Sequence, residues 1–384
     1  MEIYLDNSAT TKPCEEAVAA MVRAMGEHYH NPSALYFPAL RAEQEMAQAR
    51  RVLARSAGAE EKEVIFTSGG TESNHLAIFG CAGIQRTKGV ILYSAAEHPA
   101  VKNACLEAAA LYGHVVKEIP LTKDGSLNLE AFKELLSAEV KLICVMQVCN
   151  ETGVIMPLKQ VVKLRDDFAP RAAIHVDGVQ GYLRIPFSLQ ASGVQSYAVS
   201  AHKVQGPKGV GALMVRQGHR IQPVVTGGGQ EGNLRGGTEN TPGIAGFRAA
   251  AERYCSIGNM KETSLKNQMV QALQSVVPEL VVVGKLPEDT ESAGHILAAA
   301  FPPVRAETLV HALEAEGILV GTGSACSSKK GKRSAVLTAM QLSPDVIDST
   351  VRISFSPGNT EEEIARATES IVKHYKALKR FKRR

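Results

Sequence analysis

No two of the seven cysteines stand as a Cys-x-x-Cys pair, which argues against a structural zinc site and against a disulfide framework. Cys14, Cys81, Cys105, Cys144, Cys149, Cys255 and Cys326 are odd in number and scattered, so most read as small buried apolar residues. Cys144 and Cys149 lie in one strand-like run with opposite parity, so they point to opposite faces and cannot hold one metal together. No apolar run reaches the roughly 18 residues of a membrane span. The opening Met1-Glu2-Ile3-Tyr4-Leu5-Asp6 carries an early acid and no apolar signal core. No membrane association and a cytoplasmic location are therefore expected. Net charge is also scarce: 43 Lys and Arg against 39 Asp and Glu leave +4, which generates no large field for nucleic acid. Lys376 to Arg384 is locally basic and reads as a solvated helix end, so direct nucleic-acid binding is not expected. There is no internal repeat and no low-complexity stretch.

What the sequence does have is enough apolar material for a substantial core, 45% of 384 residues, and a length that predicts two to three domains. After helices over 13–29 and 38–57, strand and helix signals alternate. Strands are predicted at 63–67, 90–94, 115–119, 141–148, 172–176, 195–199 and 211–215. Helices are predicted at 72–86, 99–112, 128–137 and 157–167. This alternation predicts an α/β fold, a mostly parallel sheet covered by helices on both faces. Beyond one long helix at 242–275, strands at 278–283, 295–300 and 351–355 and helices at 306–316, 334–341 and 360–380 form a smaller α+β region. The expected division is a large domain over 13–254, with 1–12 and 255–384 in the small one.

Polar chemistry gathers at the predicted strand ends. Ser200-Ala201-His202-Lys203 closes an apolar strand before the break Gly206-Pro207, a position where α/β sheets place ligand chemistry. Lys203 is the candidate for a covalent Schiff base. Thr67-Ser68-Gly69-Gly70-Thr71-Glu72, between a strand and a helix, could hold a phosphate on backbone N–H groups and the helix dipole; alone it could be a capping loop. It is not a P-loop, because no Gly-Lys-Ser/Thr follows. Asp177 ends a strand as a carboxylate suited to a protonated ring nitrogen, or equally as a helix N-cap. His98 could stack on a flat ring or simply start a helix, and Asn150 repeats the position past another strand. In an open α/β sheet those ends share one crevice.

These residues also carry a resemblance. Leu5-Asp6-Asn7-Ser8-Ala9-Thr10-Thr11, Ser68 to Asn74, Glu97-His98, Asn150-Glu151-Thr152-Gly153, His175 to Gln180, Ser200 to Lys203, Arg235-Gly236-Gly237-Thr238 and Gly323-Ser324-Ala325-Cys326-Ser327 together resemble the NifS/IscS-type cysteine desulfurases. The match is in order and spans nearly the whole chain. The resemblance implies pyridoxal 5'-phosphate, a fold-type I aminotransferase-like architecture with a mostly parallel seven-stranded sheet, and a homodimer. It also implies conversion of L-cysteine to L-alanine, with sulfur captured as a persulfide for an acceptor protein of iron–sulfur cluster assembly or tRNA thiolation.

Residue by residue, Lys203 resembles the Schiff-base lysine, Asp177 the ring-nitrogen partner and His98 the stacking acid/base. Gln180 and Asn150 resemble the residues that contact the ring oxygen and the substrate-side face. Gly70, Thr71, Ser200 and His202 match phosphate-binding positions, Thr238 the one contributed by the neighbouring subunit, Arg352 the arginine that clamps the substrate carboxylate, and Cys326 the persulfide carrier. Cys326 must attack as a thiolate, and with a free-cysteine pKa of about 8.5 it needs a cationic setting; Ser327-Ser328-Lys329-Lys330-Gly331-Lys332-Arg333 supplies one. Two departures concern acceptor or partner preference: Asn31-Pro32-Ser33-Ala34-Leu35-Tyr36 in place of Asn-Pro-Ser-Ser and a histidine, and Ser356-Pro357-Gly358-Asn359 after Arg352. A selenocysteine lyase or aminotransferase of the same fold is the alternative, and a non-catalytic scaffold a more distant one.

Overall fold

A computed structural model describes residues 2–258, 260–322 and 333–381. The chain opens with β1 (Ile3–Tyr4), α1 (Glu15–Gly26) and α2 (Phe37–Ser56). It then alternates β2 (Val64–Thr67), α3 (Gly70–Gly83), β3 (Val90–Ser94), α4 (Pro99–Tyr112), β4 (Val115–Ile119), α5 (Leu129–Leu135), β5 (Val140–Cys144), α6 (Leu158–Phe168), β6 (Ala173–Asp177), α7 (Leu189–Ser192), β7 (Ser196–Ser200) and β8 (Gly211–Val215). The seven strands β2 to β8 form one sheet in the order β2-β8-β7-β6-β5-β3-β4. Only β8 runs against the rest, since it is antiparallel to both β2 and β7. All C-terminal ends except that of β8 therefore lie along one edge. Six of the seven strands are almost wholly buried, as a sheet covered by helices on both faces requires; edge strand β4 is largely exposed.

α8 (Thr241–Ile257) and α9 (Met260–Val276) lead to a second layer with β9 (Val281–Val283), β10 (Ile296–Ala300), α10 (Ala306–Glu314), β11 (Ile318–Leu319), β12 (Gly321–Thr322) and β13 (Thr350–Ser354). Short helices Ala335–Ala339 and Pro344–Ser349 precede β13, and the long helix Glu361–Phe381 follows it. β12, β13, β10 and β9 form an antiparallel sheet, while β1 pairs in parallel with β11. The period of two decides what these strands do. Val351, Ile353 and Phe355 point into a core shared with Ile3, Leu5, Leu309 and Ile371, which sends Arg352 to the opposite face, toward the large sheet. β10 likewise gives Leu297 and Ala299 to that core and Ala298 and Ala300 to the main one.

Two local differences from the sequence reading have physical causes. The single helix expected over 242–275 is two, because Gly258 adopts φ 67°, a conformation glycine tolerates best, and its N–H closes α8 onto the Tyr254 carbonyl. The strand expected over 141–148 ends at Cys144; the chain beyond it folds into a hairpin in which Met156 N–H bonds the Gln147 carbonyl and Cys149 N–H the Val154 carbonyl. Asn150 thus sits at a hairpin tip. Cys144 and Cys149 are both sealed in apolar clusters.

Candidate active site

The C-terminal sheet edge brings the predicted residues together. Asp177, the last residue of β6, is buried; its Oδ2 accepts from Asn74 Nδ2 at 2.8 Å and its Oδ1 from Val179 N–H at 3.0 Å. Both oxygens are thereby fixed in a chosen plane, and lone pairs remain for a protonated partner. Past β3, His98 caps α4: Ala100 N–H donates to its Nδ1 at 3.1 Å, which places the proton on Nε2. Burial pushes the His98 pKa down, with Asp177 opposing and Lys203 reinforcing that shift. The ring is therefore a neutral imidazole between an acid and an amine.

Lys203 follows β7 in a single 3₁₀ turn. Its Nζ donates to the Ser8 carbonyl at 2.6 Å and the Ala9 carbonyl at 2.7 Å. Burial, together with the positive charges of Arg352 and Arg184, pulls the amine down to about 7, against the attraction of Asp6 and Asp177. Arg352, on the inward face of β13, donates Nη2 to Asp6 at 2.9 Å and Nη1 to the Asn150 carbonyl at 3.0 Å. Asp6 and Asn150 thus aim a buried guanidinium into the crevice.

Around the proposed phosphate position, Gly69 caps α3 at φ 148°, and Gly70 opens the helix where a Cβ would meet Val179 Cγ2 at 2.6 Å. Ser200 is buried beside these glycines. Burial and the charges of Lys203 and Lys208 push His202 down to about 4, and its Nδ1 lies 3.1 Å from Thr10 Oγ1. Gln180 donates Nε2 to the Ser8 carbonyl at 2.9 Å. Thr71 is exposed at the rim. Thr238 is also exposed and, among the described residues, makes no side-chain hydrogen bond. Cys326 lies outside the described residues.

These residues suit a flat, phosphorylated, ring-nitrogen cofactor. Gln180 Oε1, Ser8 Oγ and Arg352 Nε are buried with no hydrogen-bond partner among the described residues, polar atoms of a kind that a ligand satisfies. The glycines leave backbone N–H groups at the helix start, and Asp177 supplies the carboxylate.

Sequence reasoning quoted several further contributors only as carriers of the resemblance and gave them no role. Asp6, Ser8 and Ala9 act only through tertiary contact, and the polar cluster Asp6-Asn7-Ser8 after an apolar pair was the available signal. Asn74 and His175 support Asp177 from below; a histidine inside the apolar strand Ala173–Asp177 was the sign. Glu97 is buried beside His98. Burial, then the Asp177 charge, raises its carboxyl to about 8, while Ser94 Oγ and Met146 N–H donate to its Oε1.

Comparison with known proteins gives concordant results. The family model described as aminotransferase class-V matches residues 3–367. The cysteine desulfurase NifS of Azotobacter vinelandii is 34% identical over 374 residues, covering 96% of this chain and 92% of that protein. A cysteine desulfurase of Nostoc sp. is 35% identical over 387 residues, covering 99% and 95%. The solved structure of a NifS-like protein superposes with a TM-score of 0.91 at 31% identity, covering 98% of this chain and 100% of that one.

Proposed function

The chain belongs to the class-V aminotransferase family, and on that premise we propose that it is a pyridoxal-phosphate-dependent cysteine desulfurase that converts L-cysteine to L-alanine and passes the sulfur to Cys326. The observation that carries this reading is the convergence at one sheet edge of Asp177, His98, Lys203 and Arg352, alongside relatives named cysteine desulfurases over nearly the whole chain.

Pyridoxal phosphate, when bound, supplies an electron sink that permits loss of the substrate's Cα proton. Asp177 would hold a protonated ring nitrogen, His98 would stack on the ring, and Gln180 and Asn150 would contact the ring oxygen and the substrate side. Gly70, Thr71, Ser200 and His202 would hold the phosphate, completed by Thr238 of a second copy in a homodimer. Lys203 anchors the cofactor and then, as a free amine close to half uncharged near pH 7, takes up the Cα proton. Arg352 binds the substrate carboxylate with its planar fork, fixed from behind by Asp6. The Cys326 thiolate forms a bond to the substrate sulfur as the substrate's C–S bond breaks; the persulfide stays on the protein, and reprotonated carbon leaves as alanine. Burial raises the Cys149 thiol to about 11 and the Cys144 thiol well above its ordinary value, so neither offers a thiolate for that attack.

The large unit over 13–254 then holds the cofactor, and 1–12 with 255–384 carries the cysteine loop and the carboxylate clamp; the separate apolar core of the latter supports this division. Among the described residues no helix is long and apolar enough to cross a membrane, in keeping with a cytoplasmic enzyme that delivers sulfur to an acceptor protein of iron–sulfur assembly or tRNA thiolation.

Dividing the reaction at Cys326 tests the reading. Cys326→Ser is expected to bind pyridoxal phosphate and change its visible spectrum when L-cysteine is added, yet release almost no alanine, because a hydroxyl is a far weaker nucleophile toward sulfur. In the wild type, mass spectrometry should place the added sulfur on the Cys326 peptide. Alanine formation by Cys326→Ser at the wild-type rate would overturn the proposal.

A further inference from the structure

Beneath Asp177 lies a line of buried polar side chains that takes no direct part in the chemistry above. Ser196 on β7, His175 on β6 and Asn74 on α3 are each at most 3% exposed. His175 Nδ1 lies 2.8 Å from Ser196 Oγ, and its Nε2 lies 2.9 Å from Asn74 Oδ1. Asn74 Nδ2 in turn donates to Asp177 Oδ2. We propose that His175 and Asn74 are positioning residues that act on the cofactor through Asp177, by forcing the Asn74 amide to present its N–H, and not its oxygen, to the carboxylate.

The direction of every bond follows from the donor inventory. A carboxamide oxygen carries no hydrogen, so the bond between His175 and Asn74 requires the proton on His175 Nε2. Burial, reinforced by the charge of His219, pulls His175 down to about 3, so the imidazole is neutral and its single proton is the one on Nε2. Nδ1 then has only a lone pair, and the Ser196 hydroxyl donates to it. Serine, histidine and asparagine thus all donate in one sense, ending at Asp177. Without the Nε2–H nothing fixes the amide rotamer, and a flipped Asn74 would set its oxygen against a buried carboxylate, where low dielectric makes the repulsion large. The histidine belongs to the same strand as Asp177, two residues earlier and on the same face, so the device is built into β6 itself.

Other titratable groups act on this line too. Glu97, His98, Lys203 and Tyr197 interact electrostatically with Asp177, and His219 with His175. The variants below keep all of them.

The inference rests on the cofactor reading above, and the test separates the two. Dissociation constants for pyridoxal phosphate are measured without substrate for wild type, Asn74→Ala, His175→Phe and His175→Gln, together with the pH titration of each variant's visible band. Asn74→Ala and His175→Phe should raise the dissociation constant about ten- to a hundredfold, the effect of losing one hydrogen bond to a charged group, and should shift the titration of the band. His175→Gln, whose amide N–H can replace the Nε2 donor, should stay within about threefold of wild type. A purely structural role would lower thermal stability of the cofactor-free protein in both His175 variants and leave the band's titration unmoved. Binding and titration by His175→Phe like those of wild type would overturn the proposal, as would a His175→Gln variant impaired as deeply as His175→Phe. Should His175→Phe not fold, Asn74→Ala decides by the same two measurements. Failure of the wild type itself to bind pyridoxal phosphate would instead sink the cofactor reading.

Discussion

Burial gives Lys203 and Glu97 opposite anomalies within one crevice. For the amine, a folded value of about 7 against an ordinary 10.5 means that the reactive, uncharged form is present near neutral pH. Turnover on the acid side should therefore fall about tenfold per pH unit below that value, read as log kcat against pH, because the amine is free only once substrate is bound; a flat profile down to pH 5 would remove Lys203 as the base. For Glu97 the folded carboxyl titrates near 8 against an ordinary 4.5. Between those values the native state binds the extra proton, so the stability contributed is complete below about 4.5 and is lost as pH rises through about 8. Glu97→Gln, which cannot ionise, should lose less stability than wild type between pH 5 and pH 8 in urea unfolding of the cofactor-free protein. Lys203 contributes equally to both proteins and cancels. Lys203 and Asp177 could be singled out in the sequence only together with the other polar strand ends, since a lysine closing a strand alone reads as a surface residue and an aspartate there reads equally well as a helix N-cap. Glu97 could not: a glutamate after a strand reads as solvent-facing until tertiary packing seals it.

At the scale of elements, what positions Asp177 is the closeness of β6 to β7. Gly178, the residue after Asp177, has no room for a side chain: a Cβ there would lie 2.0 Å from the Tyr197 ring. That ring cannot step aside, since it stacks on Phe187 with 3.9 Å between centroids and donates its hydroxyl to Gln147 at 2.6 Å. Gly178→Ala should thus cost about 1–3 kcal/mol through overpacking, seen as a lower urea midpoint, and should weaken cofactor retention by moving Asp177; an unchanged midpoint would show that β6 and β7 can separate. The strands themselves are legible because burial on both faces leaves nearly continuous apolar runs, such as Val90–Ser94 and Gly211–Val215. Periodicity could not stop the helix at Gly258, because one glycine costs a helix only about 1 kcal/mol. Nor could it find the two-residue strands β1, β11 and β12, which exist only through their partners.

Across the whole molecule, the N-terminal segment joins the two cores at the site: Ile3 and Leu5 sit in the second core, while Asp6, Ser8 and Ala9 reach Arg352 and Lys203. The same segment leads into α1, whose buried face is made of Ala17, Ala20 and Ala24 against Ala245, Ala249 and Ala250 of α8. Small residues face inward, and the large apolar ones, Val18, Val22 and Met25, face out, followed by exposed Tyr29, Leu35, Tyr36 and Phe37. This apolar surface is where the homodimer proposed above would form, and a second copy of the chain is the partner that would also bring Thr238, exposed in its own subunit, to a phosphate site. Complementation tests this arrangement. Lys203→Ala chains lack the base, and chains with 236–239 deleted lack the donated loop, so each homodimer should be inactive. In a mixed dimer one site has an intact lysine from one chain and an intact loop from the other. Equal mixing with random reassociation makes half the dimers hybrid with one working site each, so about a quarter of wild-type activity should return. Isolated hybrid dimers with no activity would mean that the loop serves its own subunit, and sedimentation of the wild type as a monomer would remove the interface altogether.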